Sequence, residues 1–205
     1  MKVLITGGTG YLGRNVVAAL IARGHDLVVF ARSATRSGLP GVPIDGDVRD
    51  RAALERAARG CDAVCHMAAL VSIWRRRRAD FDEINVGGLE NVLAAANACG
   101  IPRVLYASSF LALPPRDSPE PIPANDYART KILADRVAEA RVREGGLELA
   151  DQLRLPWRVP DHRHEVDVGV RDAGDALEHL EVADGEVIDA VRRRRVTGQH
   201  SRERV

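Results

Sequence analysis

The chain has 205 residues, 45% of them hydrophobic and 29% charged, and its 30 basic and 29 acidic side chains leave a formal net charge of +1. This suits one globular domain, alone or with a short appendage, and excludes collagen-like, low-complexity and disulfide-scaffold classes. So even a charge balance exerts no general pull on nucleic acid or an anionic membrane. Apolar runs such as Val16 to Ala22 fall far short of the roughly 20 residues a membrane helix needs. Val3-Leu4-Ile5 is cut off by Thr6-Gly7-Gly8 instead of growing into a secretory leader. Cys61, Cys65 and Cys99 read as reduced thiols of a cytoplasmic protein, with no fourth ligand spaced for a structural metal.

In chain order, Lys2–Thr6 reads as a buried strand and Tyr11–Arg23 as a helix with Val16, Val17, Leu20 and Ile21 facing inward. Strands follow at Asp26–Ala31 and Val42–Ile44, a helix at Arg51–Arg59, a strand at Ala63–His66, a long helix at Phe81–Ala98, a strand at Arg103–Ala107 and a helix at Asp126–Arg143. Wholly apolar strands separated by helices predict an α/β fold whose parallel sheet is covered on both faces. Its connections are then right-handed crossovers.

The first strand runs into its helix through Thr6-Gly7-Gly8-Thr9-Gly10-Tyr11-Leu12-Gly13. The spacing Gly7-x-x-Gly10-x-x-Gly13 gives a tight turn, then backbone that can approach a pyrophosphate, then close helix–strand packing. The opening turn of the helix, with Tyr11 and Leu12, presents free N–H groups and a positive dipole end to phosphates. A plain turn uses the same residues. The flanking strands and amphipathic helix supply the context that favours the dinucleotide reading.

The second strand ends in Ala31-Arg32-Ser33, with Arg36 close by. An NAD site places an acid at this point to bond the ribose hydroxyls, whereas a guanidinium suits a 2′-phosphate. Arg32 therefore favours NADP, leaving NAD and an ordinary surface arginine as alternatives.

At this point several motifs combine. Gly7 to Gly13, Gly46-Asp47-Val48-Arg49-Asp50, His66-Met67-Ala68-Ala69 and Asn85-Val86-Gly87-Gly88 together resemble the extended short-chain dehydrogenase/reductase family. This is the NAD-dependent epimerase/dehydratase group, which includes sugar-nucleotide epimerases and dihydroflavonol-reductase-like enzymes. The resemblance covers about residues 1–147. It implies a Rossmann-type doubly wound sheet and an NAD(P) site with contacts at Asp47 and Val48, the former to adenine. It further implies a cofactor lining at Ala68 and Ala69, and an Asn85 that steadies the helix beneath the active site.

Ser108-Ser109 follows the fifth strand, and Tyr127-Ala-Arg-Thr-Lys131 opens the next helix. A Tyr and a Lys four apart share one helical face. A phenol of unperturbed pKa about 10 is a poor acid or base at neutral pH, and an ammonium beside it favours phenolate. A serine hydroxyl can hold the substrate oxygen that gains or loses the proton, and a lysine can donate to the cofactor ribose. The basic residues are 28 Arg and only two Lys, Lys2 and Lys131, so a lysine at this position answers a specific demand. The resemblance makes Ser109 the catalytic serine, Ser108 structural, Tyr127 the acid/base and Lys131 its partner, the last two also touching the cofactor.

Other candidates carry less. The run Trp74 to Arg78 reads as a solvated loop, or as a flank of the substrate site, and not as a nucleic-acid contact. His162-Arg163-His164 lacks partners for a metal. Residues 151–205 hold ten Arg, twelve acidic residues and four of the six His, but no Lys, Phe, Tyr, Cys or Met. They read as a weakly ordered, divergent tail in place of a C-terminal substrate domain. The domain division is thus 1–150, nucleotide-binding, and 151–205, tail. The abrupt change near residue 150 fits a shifted reading frame, the alternative being a genuine short protein.

The expected activity is that of an oxidoreductase or epimerase/dehydratase moving a hydride between nicotinamide and a carbinol or ketone carbon of a small molecule, either a sugar nucleotide or a dihydroflavonol-like compound. A non-catalytic dinucleotide-binding remnant is the alternative. Exposed strand edges would also favour aggregation or pairing with another chain, a homodimer being one such outcome.

Overall fold

The computed structural model describes residues 1–72, 76–144 and 148–151. Six strands, Lys2–Thr6 (β1), Asp26–Ala31 (β2), Val42–Asp45 (β3), Ala63–His66 (β4), Arg103–Tyr106 (β5) and Glu148–Asp151 (β6), form one sheet. Every pairing is parallel, and the spatial order is β3-β2-β1-β4-β5-β6. Strand order reverses between β1 and β4, the switch point at which open α/β sheets hold their ligands beyond the strand carboxyl ends. This is the Rossmann-type doubly wound sheet expected from the sequence. The division at residue 150 falls at the edge of the described residues, and the tail from 152 onward lies outside them.

The helices are Tyr11–Ala22 (α1), Arg51–Ala58 (α2), Ala79–Phe81 (α3), Gly87–Ala98 (α4) and Asp126–Glu144 (α5). Side chains alternate across a strand, so Leu4, Val28, Phe30, Val64 and Val104 point to one face. There they join Leu54 of α2, Leu89 and Leu93 of α4, and Ala134 and Ala138 of α5 in one core. On the opposite face Ile5, Val29 and the α1 residue Val17 converge on Gly8. The buried stripe of α1 is Gly13, Val16, Val17 and Leu20. Ile21, expected inside, is 37% exposed, because at 100° per residue it lies about a quarter-turn from the centre of that stripe.

Most boundaries fall within a residue of expectation, and the long helix differs most. Where one continuous helix was expected over Phe81–Ala98, the chain forms α3, a π-helical turn at Asp82–Val86, and then α4. Such widened turns occur mostly at functional positions. This one carries Asn85 inward.

Candidate active site

Register places Thr6, His66 and Tyr106 side by side across the ends of β1, β4 and β5. The chain leaves each strand from this row: Gly7 from β1, Met67 and Ala68 from β4, and Ala107, Ser108 and Ser109 from β5. The ladder continues one step beyond it, with Met67 N–H donating to Thr6 O and Ala107 N–H to His66 O, both at 3.0 Å. The row itself is buried. Thr6 Oγ1 and His66 Nδ1 share a hydrogen bond of 2.6 Å, and the His66 ring stacks on Tyr106 with centroids 5.9 Å apart.

Burial, reinforced by the nearby Lys131 ammonium, pushes His66 down to about 3, so the folded ring is neutral at ordinary pH. The unfolded chain takes up that proton near pH 6.5, and the folded state refuses it until about pH 3. His66 therefore contributes stability that is fully present above pH 6.5 and is lost progressively as pH falls toward 3. Between pH 7 and pH 5, still above most carboxylate titration, the cost is about 2 kcal/mol. Urea unfolding at the two pH values should show this loss in the wild type and a much smaller one in His66→Gln. Equal losses would exclude His66 as the source.

The three spaced glycines do different work. Gly7 turns the chain at φ +74°, and a Cβ there would sit 2.5 Å from Ala68 N, so the loop from β1 lies directly against the loop from β4. A Cβ on Gly13 would lie 2.2 Å from Gly7 O and 2.7 Å from Gly8 Cα, so α1 starts in contact with the turn. At the exposed Gly10, a Cβ would meet only Gly7 O, at 3.2 Å. Gly10 caps α1 without a side-chain hydrogen bond, and no acid stands in the first turn. The opening N–H groups and the positive dipole end thus have no anionic side chain to answer them. Tyr11 and Leu12 lie exposed at this end. A pyrophosphate fits this cradle.

Beyond β2 and β3 the picture is electrostatic. Asp47, at the exit of β3, pairs through both carboxylate oxygens with Arg49 Nε and Nη2. Its carboxyl is held below the usual range mainly by Arg49, with a smaller contribution from the Arg32 charge. Val48 is buried against Gly88, where an added Cβ would come within 2.9 Å of Val48 Cγ2. A cleft of about 370 Å³ opens where the glycine loop and α1 meet the exit of β2, lined by Thr9, Arg14, Ser33, Arg36 and Ser37. Arg32 is not part of that lining.

After β5 the two serines have different partners. The Ser108 hydroxyl bonds both Asp135 carboxylate oxygens at 2.6 and 2.7 Å. Ser109 Oγ accepts from Leu111 N–H at 3.3 Å and caps the 3-10 turn Phe110–Ala112, which packs on α5. Asn125 Oδ1 accepts from Ala128 N–H at 2.8 Å, fixing the start of α5 and the half-buried Tyr127 in its first turn.

Lys131 is 2% exposed. Among the described residues its ammonium donates to Tyr106 Oη at 2.9 Å and to Ala107 O at 2.6 Å. Burial pushes Lys131 down to about 8, while the Asp135 carboxylate opposes that shift.

Asn85 secures the floor. Its Oδ1 accepts from Leu70 N–H at 2.6 Å, and its Nδ2 donates to Leu70 O at 3.2 Å and Thr130 Oγ1 at 3.0 Å. One buried amide thus ties the loop beyond Ala68 and Ala69 to α5. In the arginine run, Arg77 pairs with Asp80 and Glu83, and Arg78 with Asp126, while residues 73–75 lie outside the described set. Cys61, Cys65 and Cys99 are free thiols, and burial pushes Cys65 up to about 12. Among the described residues, no helix is long and apolar enough to cross a membrane.

Sequence reasoning missed Asp135, Tyr106 and Arg14. The first had a usable signal, since Tyr127, Lys131 and Asp135 follow one another at four-residue spacing on α5. The other two had none, because only strand register and loop packing bring them in.

Comparison with known proteins accords with this fold. A 4-hydroxy-2-methyl-3-oxo-4-farnesyl-3,4-dihydroquinoline-1-oxide ketoreductase of Stigmatella aurantiaca is 33% identical over 174 residues, which is 78% of this chain and 52% of the relative. A 2-alkyl-3-oxoalkanoate reductase of Stenotrophomonas maltophilia is 32% identical over 176 residues, 80% of this chain and 53% of the relative. A solved short-chain dehydrogenase/reductase superfamily protein from Agrobacterium tumefaciens with bound NAD matches at TM-score 0.66 and 31% identity, over 73% of this chain and 47% of that one. The chain spans about half the length of the curated relatives it matches. The family model described as NAD dependent epimerase/dehydratase family matches residues 3–150, and the chain belongs to that family.

Proposed function

We propose that residues 1–150 bind NADP and serve a reaction in which hydride passes between nicotinamide and a carbinol or ketone carbon of a small molecule. The observation that carries this is the buried Lys131 ammonium, drawn to the end of β5 in line with the β1 glycine turn. The cradle at Gly7, Gly10 and Gly13, with the first turn of α1, would hold the diphosphate. Ala68 and Ala69 would line the far side, and Asp47 and Val48 the adenine end. When bound, the cofactor supplies a hydride donor or acceptor. Ser109 would hold the substrate oxygen, Tyr127 would move the proton at that oxygen, and Lys131 would donate to the cofactor ribose. The names of the ketoreductase and the oxoalkanoate reductase favour ketone reduction over epimerisation or dehydration.

The choice of NADP rests on the cleft beside β2. Two guanidinium groups, Arg14 and Arg36, and the hydroxyls of Thr9, Ser33 and Ser37 line it without any carboxylate, which suits a 2′-phosphate and offers a ribose diol no acid. Arg32 would add charge from the rim. Fluorescence titration of the purified chain should show NADPH binding at least about tenfold tighter than NADH. Arg14→Ala and Arg36→Ala should each weaken NADPH by about tenfold and leave NADH unchanged, as expected for loss of a charged hydrogen bond. Equal affinities in the wild type would defeat the NADP assignment. Absence of binding to either would defeat the nucleotide site itself. A chain that binds NADPH yet reduces no ketone would instead be the non-catalytic remnant.

A further inference from the structure

We propose that Tyr106 is the positioning residue for Lys131: its hydroxyl and the Ala107 carbonyl form a two-point seat at the end of β5 that keeps the lysine charged and aimed toward the cofactor ribose. The inference rests on the assignment of Lys131 to the cofactor, and it concerns a residue that plays no direct part in the proposed proton transfer.

Three observations carry it. Tyr106 is 1% exposed and its ring is clamped between neighbours, stacked on His66 at one side with the Lys131 nitrogen 4.4 Å from its centroid. Its hydroxyl therefore cannot swing away from the ammonium. The two acceptors, Tyr106 Oη and Ala107 O, stand at 2.9 and 2.6 Å and come from consecutive residues of one strand end, so β5 itself sets where the lysine tip lies. Finally, both acceptors that meet the ammonium are uncharged. Among the described residues, the titratable groups tied to Lys131 are Tyr106 from β5, His66 from β4, and Asp135 from its own helix, with Tyr127 one turn before it. His66 stays uncharged, while the Asp135 carboxylate, bonded by Ser108, favours the charged lysine without outweighing its burial. An ammonium buried in such a place depends on its hydrogen-bond acceptors to stay protonated.

Tyr106→Phe keeps the ring and its stack while removing one acceptor. With only two lysines, Lys2 and Lys131, a chain labelled with lysine carrying 13C at the ε carbon gives two resonances, and Lys2 serves as internal reference. In Tyr106→Phe the Lys131 titration midpoint should fall by about one pH unit relative to the wild type, with Lys2 unmoved. NADPH affinity should then drop about fivefold at pH 8, where a one-unit shift takes the charged fraction from about a half to about a tenth, and recover at pH 6. A purely structural role would weaken binding equally at both pH values.

An unchanged Lys131 midpoint, or a pH-independent loss of affinity, overturns the proposal. If the variant does not fold, the wild type still decides it. With 13C at Cζ, the three tyrosines Tyr11, Tyr106 and Tyr127 give three signals, and the Tyr106 signal must titrate with the Lys131 midpoint. Independent midpoints reject the seat. Should the wild type bind no NADPH, the cofactor assignment fails while both resonance measurements continue to test the seat.

Discussion

Gly13→Ala should destabilise the chain by about 2 kcal/mol and weaken NADPH binding by at least about tenfold. The added methyl would lie 2.2 Å from Gly7 O and 2.7 Å from Gly8 Cα, both backbone atoms of a turn that is itself pinned against Ala68. No rotamer relieves such a contact. Either α1 or the turn must shift, at a cost of roughly 3 kcal/mol for overpacking. Alanine's better helix propensity returns about 1 kcal/mol. The shift displaces the opening N–H groups of α1 from the turn, and these are the donors proposed for the diphosphate. Gly10→Ala separates the two effects. Its methyl meets only Gly7 O, at 3.2 Å, in an exposed position, so stability should change little, yet the methyl occupies the surface a diphosphate must approach. Urea unfolding and NADPH titration of both variants supply the check. A Gly10→Ala chain that binds as tightly as the wild type would mean that the diphosphate does not lie over this turn.

Tyr127→Phe should reduce ketone turnover by a factor of about 10² to 10⁴, the usual contribution of a positioned acid or base, while NADPH affinity stays within about twofold. The ring sits half-buried in the first turn of α5, and the capped start of that helix does not depend on the phenol. The change therefore removes the proposed proton donor and leaves its support intact. Consumption of NADPH with a panel of small ketones measures it. Turnover within tenfold of wild type would show that the proton reaches the substrate oxygen by another route. The same assay on Ser109→Ala separates the two hydroxyls. Ser108→Ala, by contrast, breaks the bond to Asp135 and should act mainly on stability.

What could be read from the chain alone was whatever local periodicity and backbone chemistry enforce. Apolar strands and helices with an apolar stripe specify a covered parallel sheet, and Gly7, Gly10 and Gly13 mark where backbone must pass close to other atoms. Lys131 stood out because it is one of two lysines beside 28 arginines. The inward position of Ile21 was misjudged because its place on the edge of the α1 stripe is decided by how the helix rolls on the sheet. The π-helical turn at Asp82–Val86 was also hidden, as were the partners of its Asn85, Leu70 and Thr130, which come from separate segments.

The target of Lys131 was decided only by the fold. Helical spacing puts Lys131 on the same face as Tyr127, and the fold supplies its buried ammonium with the acceptors Tyr106 Oη and Ala107 O. Arg14 and Arg36 likewise meet only because the glycine turn and the exit of β2 lie side by side in the sheet. Patterns within one segment reveal which residues belong to an element. Contacts between segments far apart in the chain arise from register and packing, which no single stretch of sequence encodes.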